Sequence, residues 1–345
     1  MTHRRFYGVE KLQVQLTTVA AVVAAYFLIW PLVRPPDPAD PAVFVASGSY
    51  GRIALLGVAV CVLAVVCGLA TVSARPEGAM LAMLIGTGGI SLHSPSIRAL
   101  LWVRQGDLGG LYWQMALEMV LLAVVGLAGA VVLYLVRRAA GQLVPSWLWR
   151  DPLRDMPEEQ QRACVRAEAE RDGRDGEEAG GLIGGGFARI IVEDLGVRAA
   201  RRSGRRGIGG AVLTRCGLCF LTTLAIALGL VLLLLRSAER GQILFALLAG
   251  CFVATVAAYQ AFPTRFSFAA WAAPLVAAVG LYALAATASV RSGAGAWMDV
   301  QEYAQALPID WLTAGVGGGV AGYWVSLRMH ESRFLERYEK EEEGG

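Results

Sequence analysis

Apolar and polar residues follow one another in long blocks, and five apolar windows match the length of a membrane-crossing helix. Such a helix needs about 20 residues to cross a hydrocarbon core of about 30 Å. The five windows are 12–33, 53–72, 111–136, 213–235 and 243–262. Three weaker windows, at 79–103, 268–290 and 309–327, bring the total to about eight. The pattern predicts an all-α polytopic membrane protein.

The apolar windows fall into two halves. The first half covers 1–136 and the second covers 211–327, with about four predicted helices in each. A polar, arginine-rich linker at 137–210, with short helices of its own, joins them, and a charged tail follows at 328–345. We therefore expect the interface between the halves to be the place where any function resides.

Positive charges next to the predicted spans set the orientation, because loops rich in Lys and Arg stay in the cytoplasm. These charges come before the first span, around the linker and after the last span, and with an even number of spans they all lie on one side. We expect both termini in the cytoplasm of a bacterial-type inner membrane. The first apolar run exceeds the 7–15 residues of a signal-peptide core, so we expect it to remain as an anchor.

Composition agrees with a membrane location. Hydrophobic residues make up 56% of the 345 residues and charged residues 17%, and the mean hydropathy is +0.51. A soluble domain of this length would need far more polar surface. The net charge of +3 is too small for a nucleic-acid partner, which requires a dense basic face.

A weak internal repeat is visible between the halves. The segment 78–86 resembles 241–250, and Pro95 with Ser96 resembles Pro263 with Thr264. A match of spans two to four with spans five to seven would make the second unit inverted, as in many secondary transporters. Apolar helices also resemble one another through composition alone, so both interpretations stay open.

Few ionisable residues lie inside the apolar windows, and such residues are the default functional candidates in a membrane. Helical spacing places His93, Arg98, Gln114 and Glu118 near the outer face of a predicted hairpin of spans three and four. One interpretation is an outer vestibule or proton-linked gate with His93 as its titrating group. The other, which we favour, is a structural clasp with an ion pair between Arg98 and Glu118.

Glycines and one proline mark two further features. Gly86, Gly88, Gly89 and Pro95 weaken the third span and predict either a broken helix lining a cavity or a simple proline kink. The last span carries glycines four residues apart, which suit close helix contact within the bundle or between protomers. These glycines are Gly315, Gly318, Gly319 and Gly322.

Motifs for catalysis or cofactor binding are not found in the sequence. There is no P-loop, no H-E-x-x-H and no G-x-S-x-G, and Cys216 with Cys219 forms a single CxxC. We expect no metal and no cofactor; whether the protein is an enzyme stays open, and the missing motifs favour a protein without enzymatic activity. The expected partners are the lipid bilayer, anionic headgroups between Arg198 and Arg206, and a second copy or another membrane subunit.

Two functions follow as hypotheses. The first is transport of a small solute, ion or lipid through the interface of the halves, as in a permease. The alternative is a non-catalytic structural or assembly subunit of a membrane complex, which the scarcity of buried polar residues favours.

Overall fold

The computed structural model describes most of both apolar halves. The described residues are 2–35, 37, 40–104, 106–143, 210–237, 239–262, 264, 267–292, 298, 300 and 302–344. They form helices and contain no strand, as an all-α membrane protein requires. The predicted linker helices and the arginines between Arg198 and Arg206 lie outside the described residues.

The first half begins with a long helix, continues through several shorter helices and ends with its longest helix. Its elements are α1 (Thr2–Ala24), a π-helical turn (Ala25–Ile29), α2 (Trp30–Val33), α3 (Tyr50–Ala70), α4 (Pro76–His93), α5 (Arg98–Val103) and α6 (Leu108–Leu143).

The second half contains three regular helices and a composite last segment. Its elements are α7 (Gly210–Leu234), α8 (Arg240–Ala261), α9 (Phe268–Ser292), a 3₁₀ turn (Glu302–Gln305), α10 (Pro308–Asp310), a π-helical turn (Trp311–Gly315) and α11 (Val316–Gly344).

Six helices among the described residues are long and apolar enough to cross a membrane. They are Val9–Val33, Tyr50–Ala70, Leu108–Leu143, Thr214–Leu234, Arg240–Ala261 and Phe268–Ala288. The predicted count of eight is therefore not confirmed. The two windows that fall short are 79–103, which divides into α4 and α5, and 309–327, which divides among α10, the π-helical turn and α11.

The third span is interrupted at Ser94-Pro95, as predicted, but not at its glycines. Helix α4 runs without interruption through Gly86, Gly88 and Gly89 and ends at His93. Pro95 follows directly, and a proline disfavours helical conformation in the residue before it. Pro95 therefore marks the end of a helix, and the glycines serve close packing inside one.

Helix α4 and the stretch 308–320, from the two windows that fall short of a span, lie at the centre of the bundle. Thirteen of the eighteen residues of α4 are buried, and the stretch 308–320 is buried except for the half-buried Ala314. Helix α4 packs against α1 and against α11, and α6 packs against α9 across the two halves. Because neighbouring helices shield these segments from lipid, their sequences hold more Gly, Ser and Thr than an exposed span would.

A buried arginine closes one end of the bundle. Arg137, near the end of α6, donates to the carbonyl oxygens of Thr71 (2.6 Å), Val72 (3.3 Å) and Ala74 (2.6 Å). These carbonyls follow the end of α3, where a helix leaves acceptors unpaired. Arg137 thereby satisfies three carbonyls of the buried turn that follows α3.

The first and last helices meet at this same end. Glu10 of α1 forms an ion pair with Arg328 of α11 at 2.8 Å. We call the end that contains Glu10, Thr71 and Arg137 the basal end and the opposite one the distal end. The predicted cytoplasmic location of the termini corresponds to the basal end and stays a prediction.

Candidate functional site

An ion pair between a buried carboxylate and a half-buried arginine lies at the distal end. Asp310 of α10 is completely buried. Both of its carboxylate oxygens accept from the guanidinium of Arg240, the first residue of α8, with Nη1 at 2.6 Å and Nη2 at 2.7 Å. This two-pronged geometry is the strongest that an arginine and a carboxylate form.

The ion pair also reaches the first half of the protein through Ser91 of α4. Nη2 of Arg240 donates to the backbone oxygen of Ser91 at 2.7 Å and to its hydroxyl at 3.0 Å. The Ser91 hydroxyl in turn donates to Asp310. We call Ser91, Arg240 and Asp310 the distal clamp, because these contacts join the two halves.

Local sequence positions the Asp310 carboxylate. Pro308 starts α10, which suits the first turn of a helix because its missing N–H would be unpaired there. The Asp310 carboxylate also accepts from the N–H of Leu307 at 2.7 Å. The aspartate therefore caps its own helix with the same group that holds Arg240.

A second buried carboxylate, that of Glu118 in α6, holds a loop inside the bundle. Its Oε2 accepts from the backbone N–H of Phe44 at 2.7 Å and of Val45 at 2.8 Å. All of 42–46 is buried, and we call this segment the distal loop. Irregular backbone at membrane depth is tolerated where protein surrounds it and satisfies its polar groups.

Further contacts fix both ends of the distal loop. The N–H of Ala42 donates to the hydroxyl of Ser94 at 2.8 Å, and Arg104 donates to the carbonyl of Ala46 at 2.8 Å. Next to the loop, burial and the neighbouring Asp37 raise the pKa of Asp40 against the opposing effect of Arg104. The loop is thus tied to α4, α6 and the α5–α6 turn.

Two buried tyrosines extend the polar groups between the distal clamp and Glu118. The hydroxyl of Tyr282 donates to the carbonyl of Ala306 at 2.7 Å, and Tyr282 lies within electrostatic range of Asp310, Glu118 and Tyr112. The hydroxyl of Tyr112 and Oε1 of Glu118 are buried without a hydrogen-bond partner among the described residues. Together the distal clamp, Glu118 and these tyrosines form what we call the polar layer.

Only one of the four predicted polar residues belongs to the polar layer. Glu118 does, but His93 is exposed and stacks near Tyr26 and Trp30, with ring centroids 4.5 and 5.0 Å away. Arg98 is exposed on α5 and Gln114 is half-buried. The predicted cluster does not form, because the chain leaves α4 at Ser94 and Arg98 lies exposed on α5, while Oε2 of Glu118 accepts from the backbone of the distal loop.

The distal clamp is the part of the site that sequence reasoning missed. Arg240 and Asp310 lie at the edges of apolar windows. Charged residues at such positions ordinarily face lipid headgroups, so the sequence gives no reason to select them as functional candidates. One sequence signal could have indicated Asp310, namely the helix start at Leu307-Pro308-Ile309-Asp310. It places a carboxylate in the first turn of a helix, directly before a glycine-rich segment.

The glycines singled out in the last span face other helices of the same chain. A Cβ atom on Gly318 or Gly322 would meet the backbone carbonyls of Leu248 and Phe252 in α8, and one on Gly319 would overlap the carbonyl of Ala270 in α9. Gly315 lies against Trp311. Within the described residues these four glycines therefore allow close packing inside the second half.

Glu118 gives a testable prediction about the distal loop. Replacement of Glu118 by alanine will leave two buried N–H groups without an acceptor, at about 1–3 kcal/mol for each group. We expect the amides of Phe44 and Val45 to exchange hydrogen at least about tenfold faster, measured by mass spectrometry. Glu118→Gln keeps a carbonyl acceptor and should change exchange much less. Unchanged protection in the alanine variant would show that the loop does not depend on Glu118.

The fold defines this chain as a multi-pass α-helical membrane protein, and the polar layer places two buried carboxylates, Asp310 and Glu118, inside its helical bundle. Among the residues that the structure describes, no three His, Cys, Asp or Glu side chains converge as metal ligands. Comparison with protein-family models, with characterised proteins and with solved structures finds no match to this chain.

Proposed function

We propose that the protein is a transporter that moves a small polar solute or ion between its two halves. The observation that carries this proposal is the polar layer, in which two buried carboxylates and a half-buried arginine lie inside an apolar bundle. Ionisable groups are costly there and mark solute pathways or proton relays in membrane proteins. In this proposal the distal clamp is a closed gate.

The distal clamp has the composition expected of such a gate. Ser91 comes from the first half, and Arg240 with Asp310 comes from the second, so separation of the halves breaks its contacts to Ser91. Opening at Ser91 breaks three hydrogen bonds, whereas the two-pronged ion pair between Arg240 and Asp310 lies within the second half and stays intact. The clamp can therefore open at Ser91 while Asp310 keeps its charge partner.

The packing of the helices supports the proposed inverted repeat. In the first half α3 packs against both α4 and α6, which contact each other little. In the second half α7 packs against both α8 and α9, which also contact each other little. This common pattern is what an inverted repeat of spans two to four and spans five to seven would give, the arrangement of many secondary transporters.

The alternative function, a structural or assembly subunit, has less support. It relied on the scarcity of buried polar groups, whereas the polar layer brings five of them together with the half-buried Arg240. It relied also on a glycine face for partner contact, whereas Gly318, Gly319 and Gly322 pack against α8 and α9 of the same chain.

Thiol accessibility tests the gate. We place a cysteine at Thr87, buried on α4 one turn before Ser91, in a background without the native cysteines. A charged, membrane-impermeant thiol reagent should label it slowly. Ser91→Ala or Asp310→Asn should raise the labelling rate at least about tenfold, since hydrogen bonds to charged groups contribute about 1.5–3 kcal/mol to the closed state.

Two controls make the result decisive. Glu302→Gln changes an exposed carboxyl group and should leave the labelling rate unchanged. A cysteine at Val58, exposed on the outside of α3, should stay unlabelled in every variant because lipid covers it. An unchanged rate at position 87 in folded Ser91→Ala protein would contradict the gate and leave the clamp as a structural contact.

A further inference from the structure

A groove of about 940 Å³ runs between α1 and α11 at the basal end. Leu81 of α4 contributes to its floor. On α1 the flanking residues Leu12 and Leu16 are 55% and 61% exposed, so this flank faces the hydrocarbon of the membrane. The groove therefore opens sideways to lipid, within the size range of small-molecule sites.

Polar residues occupy one wall of the groove. Lys11, Gln15 and Thr18 of α1 line it and share one helix face, since they are three or four residues apart. They extend over about 10 Å along the helix axis at 1.5 Å per residue. The charge lies at the basal end of this row, where the headgroups of a membrane lie.

A second cation faces Lys11 across the groove. Arg328 of α11 lies above the ring of Trp324, with 4.5 Å from its guanidinium carbon to the ring centroid. It also pairs with Glu10 at 2.8 Å, and Glu10 accepts from the backbone N–H of Arg75 at 3.1 Å. The charged residues that line the groove, Lys11 and Arg328, are both cations.

The rest of the lining is apolar. These residues are Val14, Val19, Leu81, Val325 and Met329. A ligand that fits must therefore be anionic at one end and aliphatic at the other. Trp324 between the two regions matches the aromatic residues that lie at headgroup level in membrane proteins.

We propose that this groove binds one anionic phospholipid from the leaflet at the basal end. Its phosphate lies between Lys11 and Arg328, and one acyl chain lies along Val14, Leu81 and Val325. Juxtamembrane cations attract anionic headgroups, and the acyl chain adds apolar contact that an inorganic anion lacks. The groove is distinct from the polar layer at the distal end.

Native mass spectrometry of the full chain in a non-ionic detergent tests the proposal. Phosphatidylglycerol and phosphatidylcholine with the same acyl chains are offered separately. We expect the wild-type protein to retain one phosphatidylglycerol at least about fivefold more tightly than phosphatidylcholine. Lys11→Gln should lower this preference about fivefold, the effect of one cation near an anionic surface.

Further variants separate the headgroup from the acyl chain. Thr18→Trp fills the groove and should reduce retention of both lipids. Arg34→Gln removes an exposed charge at the other end of α1–α2 and should change nothing. Lys11 is exposed, so its replacement leaves the fold intact and the result interpretable.

Three outcomes would overturn the proposal. Lys11→Gln and Thr18→Trp proteins that bind both lipids as the wild type does would exclude the groove. Displacement of phosphatidylglycerol by an equal concentration of inorganic phosphate would show a site for the anion alone. A cross-link between Lys11 of two copies, with no lipid retained, would show that a second copy fills the groove.

Discussion

Replacement of Asp310 by alanine is expected to lower the free energy of unfolding by about 3–5 kcal/mol, because it leaves the guanidinium of Arg240 without its partner in the bundle. The hydrogen bond from Ser91 and the cap on Leu307 disappear in the same step. Reversible unfolding in detergent micelles, followed by circular dichroism, measures the change. This is the largest effect we expect from any single polar substitution.

A second variant separates the charge from the packing. Arg240→Leu combined with Asp310→Ala removes both charges, and we expect this double variant to be more stable than Asp310→Ala alone. Arg236→Ala and Glu239→Ala alter exposed residues next to α8, so each should change stability by less than about 0.5 kcal/mol. Equal stability of Asp310→Ala and wild type would show that the distal clamp does not stabilise the fold.

Replacement of Gly319 by alanine is the second large expected effect. The new methyl group would overlap the backbone carbonyl oxygen of Ala270, and a backbone atom cannot rotate away as a side chain does. Helices α9 and α11 must then separate, so we expect a loss of about 3 kcal/mol, at the upper end of the range for overpacked cores. The same unfolding measurement applies.

Gly280 provides the matched control. It lies in α9, and a Cβ atom there meets nothing within 4 Å. Gly280→Ala should therefore leave stability unchanged or raise it by up to about 1 kcal/mol, since alanine favours a helix more than glycine does. A Gly319→Ala protein as stable as Gly280→Ala would contradict the close approach of α9 and α11.

Several elements of the fold were predictable from hydropathy. The window 53–72 corresponds to α3 at Tyr50–Ala70 and the window 243–262 to α8 at Arg240–Ala261. Lipid-facing helices must be apolar around most of their surface, so a one-dimensional pattern detects them. Glu118 was predictable as a candidate because it is a charge inside such a window, but its partners in the distal loop were not.

The central segments were harder to predict for a physical reason. Helix α4 and the stretch before α11 are covered by other helices, so they need not be apolar enough to face lipid. Their hydropathy is therefore ambiguous, and glycines that serve close contact looked like helix breaks. Gly86 and Gly89 allow close contact with α1 and the π-helical turn that follows it. Those contacts are distant in sequence, so a local hydropathy window cannot detect them.

The sequence by itself was enough to predict that this protein lies in a lipid bilayer and that it is α-helical. In a bilayer every backbone N–H and C=O must be satisfied within the protein, and an apolar helix does this with its own residues alone. Tertiary structure decided which polar groups meet. Ser91 and Arg240 lie 149 residues apart, and Arg240 and Asp310 lie 70 apart. Their contact depends on how closely glycine-faced helices pack, which is a property of pairs of surfaces and not of any one segment.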